Sequence, residues 1–373
     1  MEIVSDKFSI DGHKMAYHPV EVAKLLSAED DISKLLDIYP IYVEVSPVGA
    51  CNHRCTFCAV DYIGYEATNR IEVDVMMKVL EDMGSNGVKS IMYAGEGEPL
   101  IHKKINEIVA KTKEVGIDVS FTTNAVAMGD RFIEESIQYT SWLKASVNGG
   151  SAKSYAQVHQ TREKDFQRVI DNLKKAVEFR NKNKLDCTIG VQSVLLPENA
   201  NDMLDFAKIV RDEIGADYLV IKPFSQEESS INRLYDNIDY RSMALRANEK
   251  KLKELESDNF KVSYRSETMS NYHEDQSNRY TTCYSTPIYM AYLMAEGSVY
   301  GCKDHLLDHN FSYGNINKNT FSEIWKGESR RKGIEYVLNE LDVSKCRVNC
   351  RMDKVNRYLF DIKEGRINHM NFI

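Results

Sequence analysis

Short apolar runs rich in β-branched residues alternate with longer amphipathic runs through the first two thirds of the chain. The short runs predict six strands, at 41–46, 88–93, 118–122, 142–147, 186–194 and 218–222. The longer runs predict helices at 73–83, 103–115, 166–181 and 201–214. Strands that alternate with helices are typical of a parallel sheet with helical crossovers, and six such units predict an α/β fold, an open partial (β/α)6 barrel.

The pattern changes after the sixth predicted strand. Residues 224–282 are polar and charged, with a helical stretch around 243–255, and a cysteine-bearing region begins at Cys283. We therefore expect four parts. They are an N-terminal extension placed to cap the barrel (1–40), the barrel (41–223), a connecting helical segment (224–282) and a small cysteine-rich domain (283–373).

Composition narrows the range of functions. Hydrophobic residues make up 43% of the 373 residues, enough for a sizeable core. No apolar run is long enough to span a bilayer, and the first residues carry charges where a signal peptide needs an apolar stretch. We therefore expect a cytoplasmic protein without a membrane partner. The net charge of −8 also argues against a nucleic-acid partner.

The cysteines supply the main chemical signal. Three of them, Cys51, Cys55 and Cys58, form a C-x3-C-x2-C motif just after the first predicted strand. Thiolates bind iron–sulfur clusters, and a cubane of four irons needs four ligands, so three cysteines leave one iron open. The motif falls at the strand end where barrels and open α/β sheets bind ligands. A structural zinc site is the alternative.

This motif in this loop resembles the signature of the radical S-adenosylmethionine (radical SAM) superfamily. The resemblance implies a 4Fe–4S cluster whose open iron is chelated by SAM, and reductive cleavage of SAM to a 5′-deoxyadenosyl radical. It also implies that the aromatic residue before the third cysteine, Phe57, lies near the adenine.

Later strand ends carry further matches to the family. The run SIMYAGEGEPL resembles the family's GGEP-like motif. The resemblance implies that Gly97 lets the backbone approach the ligand closely and that Glu98 accepts a hydrogen bond from the ammonium group of SAM. Glu96, in the same run, is consistent with a solvated side chain. In FTTNAV, Thr123 and Asn124 match small polar residues of the family.

The fourth and fifth strands complete the expected SAM pocket. In WLKASVNGG, Ser146 corresponds to a ribose contact, and Asn148 stands where the family has an aspartate. In the fifth strand Gln192 is expected to face the pocket. If it does, strand alternation places Cys187 on the opposite face, in the core, rather than in the pocket as a hydrogen-atom donor.

Cys283, Cys302, Cys346 and Cys350 form a second group. This region resembles the C-terminal domain of the SPASM and twitch subgroups of radical SAM enzymes. The four cysteines match the shorter version, which implies one fully ligated auxiliary 4Fe–4S cluster. A structural zinc site with four thiolates is the alternative. Five basic residues near this group are consistent with a solvated helix face or a phosphate site: Lys345, Arg347, Arg351, Lys354 and Arg357.

We expect an oxidation of a small sugar-like or aminocyclitol-like substrate, because an auxiliary cluster can accept an electron and Cys187 is not placed to donate hydrogen. A flavodoxin- or ferredoxin-type protein is the expected electron donor. Three alternatives stay open: a sugar epimerase, a peptide maturase, and a non-enzymatic zinc or iron–sulfur scaffold or electron carrier.

Overall fold

One ten-stranded sheet runs through the molecule. The computed structural model describes residues 13–29, 31–271, 279–369 and 371–372. The strand order is β10-β9-β8-β1-β2-β3-β4-β5-β6-β7. The strands are β1 Tyr42–Val45, β2 Ser90–Tyr93, β3 Asp118–Thr123, β4 Thr140–Ser146, β5 Thr188–Leu195, β6 Tyr218–Pro223, β7 Lys261–Tyr264, β8 Met290–Leu293, β9 Ser298–Tyr300 and β10 Ser312–Asn315.

The strands β1 to β7 are all parallel and pair in chain order. The predicted α/β barrel sheet is therefore confirmed, and all six predicted strands are present. The seventh strand, β7, was not predicted, because it lies within 224–282 and was interpreted as part of a connecting helical segment. It pairs with β6 from Tyr218↔Lys261 to Ile221↔Tyr264, so part of this segment belongs to the sheet. Residues 272–278 of the same segment lie outside the described residues.

Helices cover the outer face of the sheet. The α-helices are α1 Pro19–Ala28, α2 Ile32–Leu36, α3 Val73–Ser85, α4 Ile105–Glu114, α5 Asp130–Ser136, α6 Ala152–His159, α7 Lys164–Asn183, α8 Met203–Lys208, α9 Tyr240–Ala247, α10 Glu249–Lys253, α11 Ser266–Ser270, α12 Thr286–Tyr289, α13 Phe321–Trp325, α14 Glu328–Asn339 and α15 Asp353–Lys363. The single helix predicted over 201–214 is α8 followed by a π-helix, Ile209–Ile214.

Alternate residues of the parallel strands separate the two faces of the sheet. On β4, Leu143 and Ala145 are fully buried under the helices, while Lys144 and Ser146 on the opposite face keep some exposure. Cys187, which precedes β5, is buried in the main apolar core, as its strand position predicted. The charged and polar side chains of the other face therefore line the interior of the partial barrel.

The C-terminal region joins the barrel through the same sheet. Strand β8 pairs in parallel with β1, and β9 and β10 continue as an antiparallel meander. Because β8 lies directly beside β1, the second cysteine group is brought to the side of the sheet from which the first cysteine loop leaves.

The N-terminal helices α1 and α2 pack on the C-terminal region rather than across the barrel, which differs from the expected cap. Residues 1–12 of the extension lie outside the described part of the chain. A separate apolar cluster joins Leu25 and Leu35 to Ile288 and Phe360. The fully buried Arg330 of α14 donates to five backbone carbonyls, those of Leu35, Leu36, Ile38, Pro287 and Trp325.

Across the described ranges, no helix combines the length and apolar character needed to cross a bilayer.

Candidate functional site

The first cysteine group lies in the loop that follows β1. Cys51, Cys55 and Cys58 are partly buried free thiols. Burial raises the pKa of Cys55 well above its usual range, and the nearby thiols of Cys58 and Cys51 raise it further. Burial also raises the pKa of Cys51, with smaller contributions from Glu98 and Cys58. The three thiols of the loop are therefore near enough to interact electrostatically, and a metal centre that needs thiolates would relieve the cost of ionising them.

Two sets of contacts fix the path of this loop. The amides of Arg54 and Thr56 donate to the carbonyls of His159 (3.2 Å) and Val158 (2.9 Å) at the end of α6. The Arg54 guanidinium donates to the carbonyls of Cys51 (2.8 Å) and His53 (2.7 Å). Hydrogen bonds to α6 thus attach the loop to the barrel, and the Arg54 bonds restrain its backbone between Cys51 and Cys55.

His159, the last residue of α6, lies directly behind Cys55. Its Nδ1 is 3.2 Å from the Cys55 Sγ, and its Nε2 accepts the backbone N–H of Asn148 at 3.0 Å. The side-chain amide of Asn148 also lies 3.2 Å from Nε2. Burial and the nearby His53 keep the pKa of His159 well below its usual range. Because Nε2 receives donors, the neutral ring carries its proton on Nδ1 and donates it to the sulfur.

A second donor set is present at the same place. One ligand atom from each of His53, Cys55 and His159 lies within 4.8 Å of the others, which could hold a metal ion. However, the Nδ1 proton of His159 points at the thiol, and Nε2 is occupied by Asn148. The imidazole set is therefore poorly suited to bind a single ion, whereas thiolates such as those of Cys51, Cys55 and Cys58 are the ligands of iron–sulfur clusters, which spread their ligands over several irons.

Gly97 packs the end of the second strand against the cysteine loop. A Cβ on Gly97 would lie 2.1 Å from the carbonyl oxygen of Val48 and 2.3 Å from that of Ala50. The amide of Glu98 then donates to the Ala50 carbonyl at 2.9 Å. The predicted close approach at this glycine is therefore made to the backbone just before Cys51.

The predicted Glu98, Thr123 and Asn124 come together. The buried Glu98 carboxylate accepts from the Thr123 hydroxyl (2.5 Å), the Asn124 amide (2.8 Å) and the Leu100 amide (3.0 Å). Asn124 in turn donates to the side chain of Asn52 at 2.7 Å. Glu98 thus organises the strand ends around the cysteine loop, and its role toward the SAM ammonium stays a prediction.

Glu96 differs from its predicted solvated state. It is 3% exposed, and its carboxylate accepts the Ala295 amide at 2.5 Å. Its own amide donates to the Ser46 hydroxyl at 3.2 Å. No local sequence pattern indicates this contact, because Ala295 lies about two hundred positions further along the chain. Glu96 therefore ties the second strand end to the C-terminal region.

Ser146 and Gln192 are cross-strand partners on β4 and β5, on the interior face. The Asn148 amide donates to the Ser146 hydroxyl at 3.0 Å, and its carbonyl oxygen accepts the Val194 amide at 2.6 Å. Asn148 thus uses its side-chain NH2 as a donor and its side-chain oxygen as an acceptor, which an aspartate could not do. The asparagine at this position therefore has a structural function. Phe57 lies edge-on to His159, with ring centroids 5.6 Å apart.

The thiols of the second cysteine group also lie within electrostatic range of one another. Burial is the largest cause that raises the pKa of Cys302, Cys346 and Cys350, and the nearby Cys283 raises each of them further. The Arg279 guanidinium donates to the carbonyls of Cys346 (2.8 Å) and Arg347 (3.1 Å). All eight cysteines are free thiols. The four thiols therefore fit a fully ligated metal centre.

The two cysteine groups share one apolar cluster. Cys58 from the first group, and Cys283 and Cys302 from the second, pack on the buried side chains of Tyr292 and Met294 among others. The expectation of a solvated basic face is wrong for Arg347, whose side chain is mostly buried, whereas Arg351 stays partly exposed and is also ion-paired. Arg347 pairs with Glu227 and with Asp304 (2.9 Å), and Arg351 pairs with the fully buried Glu44 at 2.5 Å.

The other basic residues near this group do lie at the surface. Lys345 is mostly exposed and Lys354 and Arg357 are partly exposed, and each of the three pairs with a nearby carboxylate.

The charged interior of the barrel was not predicted from the sequence, although the strand sequences carry a signal of it. Strands of a buried parallel sheet read as nearly continuous apolar runs. Apart from Asp118 and Lys261, which are the first residues of β3 and β7, three charged residues break this rule within a strand. They are Glu44 in β1, Lys144 in β4 and Lys222 in β6. A charged side chain on the interior side of such a strand indicates a lumen that binds something polar.

Comparisons with known proteins agree with this geometry. A family model described as the radical SAM superfamily matches residues 45–210, and one described as SPASM, an iron–sulfur cluster-binding domain, matches residues 283–351. The two ranges together take up more than half of the chain and include the seven grouped cysteines.

Curated relatives match only in part. A GTP 3′,8-cyclase of Lactiplantibacillus plantarum is 27% identical over 213 residues, 55% of this chain and 62% of its own length. An S-adenosylmethionine-dependent nucleotide dehydratase of Lacinutrix mariniflava is 28% identical over 102 residues, 26% of this chain and 21% of its own. The chain thus spans less than two thirds of these relatives.

Solved structures match along most of the chain. Streptococcus suis SuiB bound to S-adenosylmethionine has a TM-score of 0.64 at 17% identity, over 92% of this chain and 78% of SuiB. At this identity the likeness shows the fold alone.

Proposed function

We propose, from the premise that this chain belongs to the radical SAM superfamily and carries a SPASM-type C-terminal domain, that it oxidises a carbon of a small sugar-like substrate. Membership of the superfamily makes the protein a radical SAM enzyme with 4Fe–4S and SAM binding. The observation that carries the proposal is the three-thiol loop, which is held against Gly97 and α6 beside the barrel interior. When bound there, a cluster with SAM would supply the 5′-deoxyadenosyl radical that abstracts hydrogen.

Residues of the chain are proposed to bind the cluster and to position the loop that carries it. Cys51, Cys55 and Cys58 are the proposed ligands of the cluster. Glu98 holds the ends of β2 and β3 together through Thr123 and Asn124, and so keeps the loop placed over the interior.

The other proposed SAM contacts are supported by where they lie. Ser146 and Gln192 face the interior as neighbours on β4 and β5, which supports them as contacts to the ribose side of SAM. Phe57 is proposed to lie along the adenine, because it precedes the third cysteine and lies against His159 at the edge of the same loop.

The C-terminal thiols favour oxidation over epimerisation. An auxiliary 4Fe–4S cluster, when bound by Cys283, Cys302, Cys346 and Cys350, would supply an acceptor for the electron that leaves the substrate radical. Epimerisation instead needs a hydrogen-atom donor in the lumen. Cys187 does not fit that role, because it is 4% exposed and belongs to the core outside the sheet. A flavodoxin- or ferredoxin-type protein of the cytoplasm is the proposed source of the first electron.

SAM cleavage tests the proposal. Anaerobically reconstituted protein, reduced and mixed with SAM, should form 5′-deoxyadenosine. Cys55→Ala should abolish this product, because it removes one of three cluster ligands. Cys187→Ala, which changes a buried thiol away from the loop, should leave it unchanged. Absence of 5′-deoxyadenosine from the wild-type protein at full iron content would overturn the assignment and favour a scaffold or electron carrier.

Two further measurements separate the finer alternatives. Iron, sulfide and zinc analysis should give about eight irons per chain and no zinc, and about four irons with one zinc would contradict the auxiliary cluster. Deuterated sugars or peptides that pass label to 5′-deoxyadenosine would identify the substrate class. Label from a peptide, and from no sugar, would show a peptide maturase instead.

A further inference from the structure

Charged residues on three strands face the interior of the partial barrel, outside both cysteine groups. Glu44 lies on β1, Lys144 on β4 and Lys222 on β6. The flanking residues Leu143 and Ala145 are fully buried on the opposite face, so strand alternation turns Lys144 inward. Both lysines keep some exposure, which means that solvent or a ligand reaches them from the lumen.

The carboxylates of this interior already have cationic partners. Glu44 pairs with Lys303 at 3.1 Å and with Arg351 at 2.5 Å. Although burial opposes ionisation, these two cations lower the pKa of Glu44 to about 2. Glu227 and Asp304 both pair with Arg347. The acidic side chains are therefore ionised or already engaged before any ligand enters.

Lys144 and Lys222 are the exceptions. Within the described part of the chain, neither has a carboxylate within salt-bridge distance, and neither ammonium donates a hydrogen bond. Lys144 lies beside the ring of Trp142, with Nζ 5.1 Å from the ring centroid. Each lysine also lies within electrostatic range of the other and of Arg351.

Glu44 attracts Lys144 only from beyond salt-bridge distance, so holding the two cations in this partly buried interior is still costly. Burial together with the surrounding cations lowers the pKa of Lys222 to about 7. An anionic ligand between them would offset this cost.

We propose that Lys144 and Lys222 bind a phosphate group of the substrate inside the barrel. This inference rests on the proposed function, because it specifies the class of small molecule whose carbon is oxidised. Lys144 lies two residues before Ser146 on the same face of β4, about 7 Å deeper along the strand. A phosphate held there would place the rest of a sugar-like substrate toward the predicted SAM contacts.

The same charges select against the other substrate considered from the sequence. An aminocyclitol carries an ammonium group, which the two free lysines and the paired arginines would repel. A lysine ammonium is a compact point charge that suits phosphate. The nucleotides that appear in the names of two curated relatives are of this phosphate-bearing class. The interior therefore favours a sugar phosphate or a nucleotide.

Equilibrium binding to reconstituted protein tests the inference. The probes are GTP, CTP, glucose 6-phosphate and inorganic pyrophosphate, so that the nucleotide and sugar-phosphate sources are measured separately. Lys144→Met and Lys222→Met should each weaken binding of the best probe about 10- to 100-fold, the usual effect of losing a charged hydrogen bond. Both changes remove an unpaired buried charge, so folding should not suffer.

Lys175→Met is the matched control, because Lys175 pairs with Asp130 on the exposed surface and should leave binding unchanged. Equal binding by wild type and both lumen variants would overturn the inference, as would a wild type that binds no phosphate probe. The same wild-type preparation is assayed for 5′-deoxyadenosine. Active SAM cleavage with no lysine-dependent binding refutes the phosphate site alone, whereas absent cleavage refutes the proposed function.

Discussion

Replacing His159 by phenylalanine should lower the reduction potential of the N-terminal cluster. The imidazole Nδ1 lies 3.2 Å from the Cys55 sulfur, and Nε2 is held by the Asn148 amide at 3.0 Å. The neutral ring thus offers the sulfur one N–H donor in a buried setting. Hydrogen bonds to the cysteine sulfurs are among the features that set cluster potentials, because they stabilise the more negative, reduced form.

The size of the effect follows from the one bond that is lost. A hydrogen bond to a charged group contributes about 1.5–3 kcal/mol, and only the difference between the two redox states changes the potential. If about half of that contribution is specific to the reduced state, the loss is about 1 kcal/mol. For a one-electron couple this corresponds to a shift of about 40 mV to more negative potential, since about 59 mV is a tenfold change.

Anaerobic redox titration followed by EPR measures this shift directly and does not depend on turnover. His53→Phe is the control, because this ring lies in the same aromatic group, with its centroid 5.1 Å from that of His159. His53 makes no hydrogen bond to the sulfur in the described structure. A His159→Phe potential within about 10 mV of wild type, or an equal shift in His53→Phe, would refute the reasoning.

Three further outcomes follow from other contacts. Gly97→Ala should reduce iron incorporation at the N-terminal site, because its Cβ would lie 2.1 Å from a backbone oxygen of the cysteine loop. The control, Gly129→Ala, has open space at its Cβ and should keep the wild-type iron content. Iron analysis of the two purified variants measures the difference. Phosphate binding should weaken as the pH rises from about 6 to about 8. Burial and neighbouring cations lower the pKa of Lys222 to about 7, and phosphate binds the protonated lysine. A binding affinity that calorimetry finds to be independent of pH over this range would contradict the prediction. Arg330→Met should lower the free energy of unfolding by about 3–5 kcal/mol in denaturant titration, since five carbonyls lose their donor. Arg331→Met removes only a surface ion pair and should leave the free energy of unfolding nearly unchanged.

The elements that sequence predicted well are those with local signals. All six predicted strands have apolar, β-branched runs, and the first cysteine motif is local and resembles a known family signature. Strand β7 was missed because its four residues are short and are surrounded by a polar segment, so only pairing with β6 reveals it. Glu96 was misread for a similar reason. Its partner, the Ala295 amide, is distant in sequence, and no local pattern indicates that a glutamate will cap a remote strand end.

The largest gap between sequence and structure concerns the basic residues of the C-terminal domain. Read along the chain, they resemble a solvated face, but Lys303, Arg347 and Arg351 each directly follow a cysteine of the second group. Their side chains reach carboxylates of the barrel interior or of its rim. Whatever fixes Cys302, Cys346 and Cys350 around one centre therefore also fixes three cations at the mouth of the lumen. On the proposed function, the small domain forms one wall of the substrate site. Removal of metal bound by its thiols should then weaken equilibrium binding of the phosphate probes even where SAM cleavage continues.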